Sequence, residues 1–207
     1  MKRSPAVAAI ILAAGRARRF QAGADDSKVL AELAGKPLVR HVAEAAVGSQ
    51  AHPIIVVTGQ AAARVEAALA DLALAFVRND DPDAGLSRSL ALGLAALPGE
   101  SDGAIVLLAD MPFVTSGLID RLIDAYASAA MEPQAVVPVH AGRRGNPVLL
   151  GRNLFAAAAA ITGDRGARAL LDAQGAHVVE CPIDDDSVAV DIDTQDMLAR
   201  VKARDRA

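Results

Sequence analysis

The sequence predicts an α/β fold, a mostly parallel sheet flanked by helices on both faces. Two observations predict it. Short, continuous, β-branched apolar runs recur along the chain, and Ala-rich amphipathic segments of helical length separate them. Strands that are apolar without alternation are buried on both faces, the condition of a parallel sheet covered by crossover helices. At 207 residues and 53% hydrophobic content, the chain can build a substantial core as one domain, 1–207. Only 2% of residues are aromatic, so that core is made of Ala, Val, Leu and Ile.

The elements follow in order. Strand Val7–Leu12 breaks into Ala13-Ala14-Gly15 and a cationic stretch holding Arg16, Arg18 and Arg19. Gly35-Lys36-Pro37 punctuates a turn before a helix at 38–48. Strand Ile54–Thr58, helix 60–71, strand Leu74–Arg78 and helix 87–97 come next, closed by Leu97-Pro98-Gly99. Strand Ala104–Ala109 leads to helix 116–130, then strands Ala135–Val139 and Val148–Leu150. The Ala156–Ala160 run is good helix former within 152–160, followed by a helix at 166–174. Strands His177–Cys181 and Val188–Ile192 precede a last helix at 194–203, for which Thr194 is a candidate N-cap. No linker long enough to divide the chain and no internal repeat is visible.

Bulk properties exclude several functions. Net charge is −4 and the pI about 5.5, with basic residues dispersed after the first loop, which argues against nucleic acid as a bulk partner. The single cysteine, Cys181, excludes an internal disulfide and a cysteine zinc cluster and fits a reducing compartment; it reads as a small apolar strand residue. Lys2-Arg3 before an apolar run superficially resembles a signal peptide, but the run is short and arginines follow where a cleavage region is neutral. No apolar segment approaches the roughly 20 residues that span a bilayer. A cytoplasmic protein, away from membranes, is expected.

Open parallel sheets bind ligands outside the carboxyl ends of their strands, so the loops after Leu12, Thr58, Arg78 and Ala109 are the segments of interest. After Leu12, small residues let backbone N–H groups approach a phosphate chain that the nearby cations neutralise. Lys28 follows, one of four lysines among 21 basic residues. A chain that habitually uses Arg but places Lys here fits a need for a compact ammonium; a plain strand-to-helix loop with solvated arginines is the alternative. Asp110, at the end of a buried strand and followed by Met-Pro, suits Mg²⁺ through oxygen or, more plainly, a turn. Asp191 and Asp193 share one face of an extended segment, and one of them could instead serve the start of the last helix. In the loop 79–89, Gly85 and Ser87 could meet a ligand, or Ser87 could simply cap a helix. The Gly/Arg loops at 143–147 and 163–168 suit a second anionic ligand or a charged surface hairpin. The four histidines lack metal-ligand spacing.

Taken together, Leu12-Ala13-Ala14-Gly15-x-x-x-Arg19-Phe20 with Lys28, Gly35-Lys36-Pro37-Leu38, Ala109-Asp110-Met111-Pro112, Arg144-Gly145-Asn146-Pro147 and Asp193-Thr194 resemble the molybdopterin nucleotidyltransferase family. The motifs run in order through nearly the whole chain. The resemblance implies a three-layer, Rossmann-like, glycosyltransferase-A-like fold, with a nucleotide half at about 1–115 and an acceptor half at about 116–207. Leu-Ala-Ala-Gly and the two Gly/Arg loops look most like the molybdenum cofactor cytidylyltransferases; the guanylyltransferases tend to carry Gly where Ala14 stands. Two departures are Ala17, which removes a hydroxyl from the first loop, and Gln195, which stands where the family often has Pro.

What the resemblance implies is Mg²⁺-dependent transfer of CMP from CTP to a pterin phosphate, with release of pyrophosphate. It assigns Lys28 and Arg19 to the phosphates, and Asp110 with Asp193 to the metal. Leu12, Ala13, Ala14 and Gly15 would contact the nucleotide, with Thr58, Gly59, Asn79 and Ser87 around it. Arg144, Asn146 and Arg168 would face the acceptor. Molybdoenzymes or their chaperones are the implied recipients of the product. A guanylyltransferase, a sugar- or polyol-phosphate transferase with the same half-site, and a non-catalytic nucleotide-binding module are the rivals. Intact Asp110 and Asp193 argue against the last. A dinucleotide oxidoreductase is disfavoured because the first loop lacks Gly-x-Gly-x-x-Gly.

Overall fold

Seven consecutive buried residues, Val7–Ala13, form β1, the strand around which the other layers assemble. In the computed structural model, which describes residues 3–15, 20, 27–131, 133–163, 171 and 177–204, β1 is followed by a small antiparallel pair, β2 (Glu32–Leu33) and β3 (Lys36–Pro37). Their two-residue loop is Ala34-Gly35, with φ of 49° and 78°. Positive φ at both central positions is what a type I′ hairpin requires. Then come α1 (Leu38–Val47), β4 (Ile54–Thr58), α2 (Ala62–Ala68), β5 (Ala75–Arg78), α3 (Leu86–Ala95), β6 (Gly103–Leu108) and α4 (Ser116–Ser128). The chain continues through β7 (Ala135–His140), β8 (Arg143–Arg144), β9 (Val148–Gly151), α5 (Phe155–Ala159), β10 (Val178–Pro182) and α6 (Gln195–Arg204).

The main sheet runs β10-β7-β9-β6-β1-β4-β5, with β8 paired to β7. β1 pairs in parallel with both β4 and β6, and β4 with β5, as continuous apolar strands require. β9 is antiparallel to β6 and β7, and β8 is antiparallel to β7. The tight Ala141-Gly142 turn, with φ of 47° and 74°, leaves room only for a hairpin, whereas a parallel neighbour would need a crossover. The mostly parallel sheet is thus accompanied by an antiparallel insertion that apolar periodicity does not reveal.

Alternate residues of β1 enter opposite cores. Ala9, Ile11 and Ala13 pack with Val39, Val42 and Ala46 of α1 and Leu118, Ile119 and Leu122 of α4. Ile10 and Leu12 pack with Leu90 and Leu94 of α3 and Ala158 of α5. This gives the three-layer, Rossmann-like arrangement, helices on both faces of one sheet. A third cluster of Phe20, Leu33, Leu38, Ile192 and Leu198 fastens the C-terminal helix against the β2–β3 hairpin.

Two expected elements change. Val188–Ile192 is not a strand. Asp186–Val188 is a 3-10 turn whose Ser187 N–H is accepted by Asp185, and the residues after it join no sheet. Their alternation of acids and apolar residues has another cause: Ile192 enters the third core while Asp191 and Asp193 face away from it. The 152–160 helix begins as a 3-10 turn, Arg152–Leu154, before α5. Of the helix expected at 166–174, only Leu171 is described, helical and buried.

Gly93 sets the distance between α3 and the sheet. A Cβ there would lie 2.5 Å from Ile10 Cγ2 and 3.2 Å from Val57 Cγ2. Ala would improve helix propensity by about 1 kcal/mol, but overpacking a rigid β-branched contact costs about 1–3 kcal/mol. Gly93→Ala is therefore expected to lower stability in urea denaturation. In an Ile10→Ala background the same change should become neutral or stabilising, which a double-mutant cycle measures.

Candidate functional site

Three segments far apart in sequence meet at the carboxyl ends of β1 and β6. Asp110 lies two residues beyond β6, where the Ala109 N–H donates to the Leu12 carbonyl and so ties the loop to β1. The Asp110 carbonyl in turn accepts the Ile192 N–H at 2.9 Å, which draws the 190–194 segment alongside. Thr194 caps α6, its Oγ1 accepting the Met197 N–H at 3.1 Å. Asp193 is therefore held just outside a capped helix, where its side chain turns inward to Lys28. Lys28 opens a 3-10 turn, Lys28–Leu30, fixed by Leu30 N–H to Ser27 O at 2.9 Å.

These three side chains form one ionic group. Lys28 Nζ donates to Asp110 Oδ2 at 2.5 Å and to Asp193 Oδ1 at 2.6 Å. The side chains of Lys28 and Asp110 are 15% and 19% exposed, so the group is shielded from water and salt, with Asp193 at its open rim. Burial alone would lower the Lys28 pKa, but the charges of Asp110 and Asp193 and their hydrogen bonds outweigh it and hold the ammonium protonated. Asp110 Oδ1 is buried and has no hydrogen-bond partner among the described residues. An unpartnered buried carboxylate oxygen is costly unless something cationic or hydrogen-bonding meets it. The donor set fits a hard divalent cation, since two carboxylates already share one cation and Asp110 Oδ1 is left over.

The loops after β1 and β4 crowd together. A Cβ on Gly59 would lie 2.9 Å from the Ala14 carbonyl oxygen and 3.0 Å from its Cα, so glycine alone fits where the 58–59 loop meets the 13–15 loop. Ala14 is buried, its Cβ 3.1 Å from where a Cβ on Gly59 would lie. Thr58 is buried at the end of β4. Asn79 is buried too. Its N–H donates to Thr58 O at 2.8 Å, its Nδ2 to Ser89 Oγ at 3.0 Å, and its Oδ1 accepts the Asp81 N–H at 3.0 Å. Asn79 thus binds the loop to α3 from within. Gly85, with φ of 89°, occupies the N-cap of α3, so Ser87 lies inside the first turn rather than capping it.

On the other side of Asp110 is a cleft of about 570 Å³ lined by Leu108, Met111, Arg143, Arg144, Asn146 and Asp191, among others. Its wall exists because Gly145 lies flush on Val188; any Cβ at 145 would overlap the Val188 carbonyl oxygen. The Asn146 N–H donates to that same carbonyl at 2.8 Å. Arg144 is steadied by its Nε donating to Glu180 Oε1 at 2.9 Å. Burial pushes the Asp191 carboxyl up, and the Asp193 charge adds to it. The i, i+2 relation of the two acids survives without a strand, but their positions divide: Asp193 meets Lys28 and Asp191 lines the cleft.

Most of the expected residues therefore gather at one end of the sheet. Arg19 and Arg168 lie outside the described residues. Met111 and Val188 were not singled out by sequence as cleft residues and carried no signal that could have found them, whereas Arg143 was named as part of the 143–147 loop. Among the described residues, no helix is long and apolar enough to cross a membrane.

Known proteins resemble this chain in sequence and in fold. The chain is 38% identical over 151 residues to the bifunctional protein GlmU of Acidovorax ebreus (strain TPSY), covering 69% of this chain and 29% of that protein. It spans less than a third of the length of such curated relatives. The crystal structure of Rv0371c from Mycobacterium tuberculosis H37Rv superposes with a TM-score of 0.83 at 25% identity, covering 97% of this chain and 100% of that one. The Rv0371C complex with manganese from the same organism gives a TM-score of 0.80 at 26% identity, covering 95% and 98%. Residues 9–178, which include Lys28 and Asp110, match the model of the MobA-like NTP transferase domain, and the chain belongs to that family.

Proposed function

We propose that this chain transfers CMP from CTP to the phosphate monoester of a molybdenum-pterin cofactor, with Mg²⁺ as the metal. The observation that carries the reading is the Lys28–Asp110–Asp193 group with its unpartnered oxygen, beside a cleft walled by Arg143 and Arg144. The manganese complex of a structural relative supports a divalent metal in this fold. The cytoplasm, where the lone buried cysteine stays reduced, is the setting, and a molybdoenzyme or its chaperone would receive the product.

The chemistry asks little of acid–base groups. A terminal phosphate oxygen of the acceptor attacks the α-phosphorus, the α–β bridging P–O bond breaks, and pyrophosphate leaves with the electron pair. The nucleophile is already anionic at neutral pH, so no general base is required. The barrier lies in bringing two anions together and in charge growing on the leaving group, which makes positioning and electrostatics the main terms. Lys28 supplies a point charge for the phosphates. Asp110 and Asp193 would hold the metal, which supplies charge neutralisation of the triphosphate when bound. Arg144 and Asn146 face the acceptor, with Arg168 as a further phosphate contact. Backbone groups of Leu12–Gly15 and of Thr58-Gly59 read the base, and Asn79 and Ser87 shape the loop behind it.

The test is a pyrophosphate-release assay with the four nucleotides, each with and without molybdenum-loaded pterin. Turnover with CTP only when the pterin is present is expected; turnover with a sugar or polyol phosphate instead would replace the acceptor and keep the transferase reading. Ala14 acts on the base through the spacing of the two loops it separates. Ala14→Gly should accordingly narrow the CTP-over-GTP ratio without reversing it, within the roughly 10- to 200-fold that a methyl contact can supply. A wild-type preference for GTP overturns the cytidylyl assignment.

Lys28→Ala is expected to lower kcat by about 10²–10³-fold with the fold retained by circular dichroism. Lys28→Arg should rescue it only in part, because a planar fork does not fit a point-charge position. Full turnover by Lys28→Arg removes the assignment.

Asp110→Asn should abolish metal-dependent turnover, since a neutral amide is a far weaker ligand for a hard cation. Asp193→Asn is expected to be severe but milder, given the greater exposure of Asp193. Rates measured across a Mg²⁺ titration decide it, and unshifted metal dependence in both variants places the metal elsewhere.

A further inference from the structure

We infer that Lys28 also gates the metal site. In the free protein its ammonium stands in for a cation between Asp110 and Asp193, so divalent metal binds tightly only when nucleotide phosphates draw Lys28 away. This rests on reading Asp110 and Asp193 as the metal carboxylates.

The geometry supplies the argument. One oxygen of each carboxylate is engaged by the same ammonium, at 2.5 Å and 2.6 Å. A metal approaching the free protein therefore meets two carboxylates whose charge is half cancelled, and must displace Lys28 from both. The displacement is costly because the group is shielded: Lys28 and Asp110 are 15% and 19% exposed. Charge pairs removed from water and salt interact more strongly than surface pairs. The same ammonium is the group expected on the triphosphate. A four-carbon stem with rotatable bonds lets it exchange carboxylates for phosphates without moving the 3-10 turn that carries it. Asp110 Oδ1, buried and unpartnered among the described residues, is the acceptor that Lys28 leaves unserved and that metal would claim.

Metal and nucleotide then bind cooperatively through one side chain. By linkage, each raises the affinity for the other by the same factor, typically about 5- to 150-fold for such couplings. The metal-free protein is the resting form, and metal enters with its nucleotide.

The experiment is calorimetric titration of the free protein with Mn²⁺, without nucleotide. Lys28→Met keeps the length of the stem and removes the charge. It is expected to bind Mn²⁺ about tenfold more tightly than wild type or better, while Lys28→Arg stays near the wild-type value. Equal or weaker Mn²⁺ binding by folded Lys28→Met overturns the inference. The double variant Lys28→Met/Asp110→Asn should lose the gain. If the gain persists there, the metal lies elsewhere, and the underlying reading of the carboxylates fails as well. Should Lys28→Met not fold, the wild type itself gives the answer through ¹⁵N NMR of its lysine ammonium groups, of which the chain has only four. Lys28 should show a slowly exchanging signal that is lost as Mg²⁺ saturates the protein; a signal unmoved at saturation overturns the gate.

Discussion

An ammonium held between two carboxylates joins parts of the chain separated by 82 and 165 residues. Secondary structure alone does little to bring the three segments together. The 3-10 turn of Lys28 is short, the 190–194 segment joins no sheet, and Asp110 follows a strand whose end needs only a turn. Their charges make the meeting worthwhile in sum and costly in any part. Taking one member from a shielded ionic group leaves the others uncompensated, whereas the complete group roughly offsets its own desolvation. The apolar cluster of Phe20, Leu33, Leu38, Ile192 and Leu198 supplies what the charges do not, since it presses the C-terminal segment onto the β2–β3 hairpin.

Much of this was legible in sequence, and the reasons differ by element. β1, β4 and β6 announce themselves because a strand buried on both faces must be apolar throughout. Lys28 was legible by rarity, Asp110 by its place after a buried strand, and Thr194 by its residue type before a helix. Apolar periodicity could not show which direction β9 runs, because a hydrogen-bond ladder of either sense buries the same side chains. It misread 188–192 because an extended segment that buries one residue and points its neighbours at a site has the same alternation as a half-buried strand. The packing of Ala14 on Gly59 was out of reach for another reason: the two stand 45 positions apart and meet only after β1 and β4 pair.

Close backbone approach is the second theme. Gly59 against Ala14, Gly145 against Val188 and Gly93 against Ile10 each replace a side chain with proximity. The first two frame the two sides of the site, and the third fixes the helix layer behind it. Such contacts build the walls of the site from backbone, with few long, entropically expensive side chains to order.

The antiparallel β9 stands between β6, which delivers Asp110, and β7, whose hairpin carries Arg143 and Arg144. The β5-β4-β1-β6 block keeps its own hydrogen-bond ladders whatever the hairpin's composition. Loops of this fold can therefore drift in shape and charge on the far side of β9 while the end that carries Lys28 and Asp110 stays in register. With the acceptor where we propose it, a lineage of such chains could exchange one acceptor for another by altering a few turn residues, keeping the same nucleotide chemistry as its inheritance.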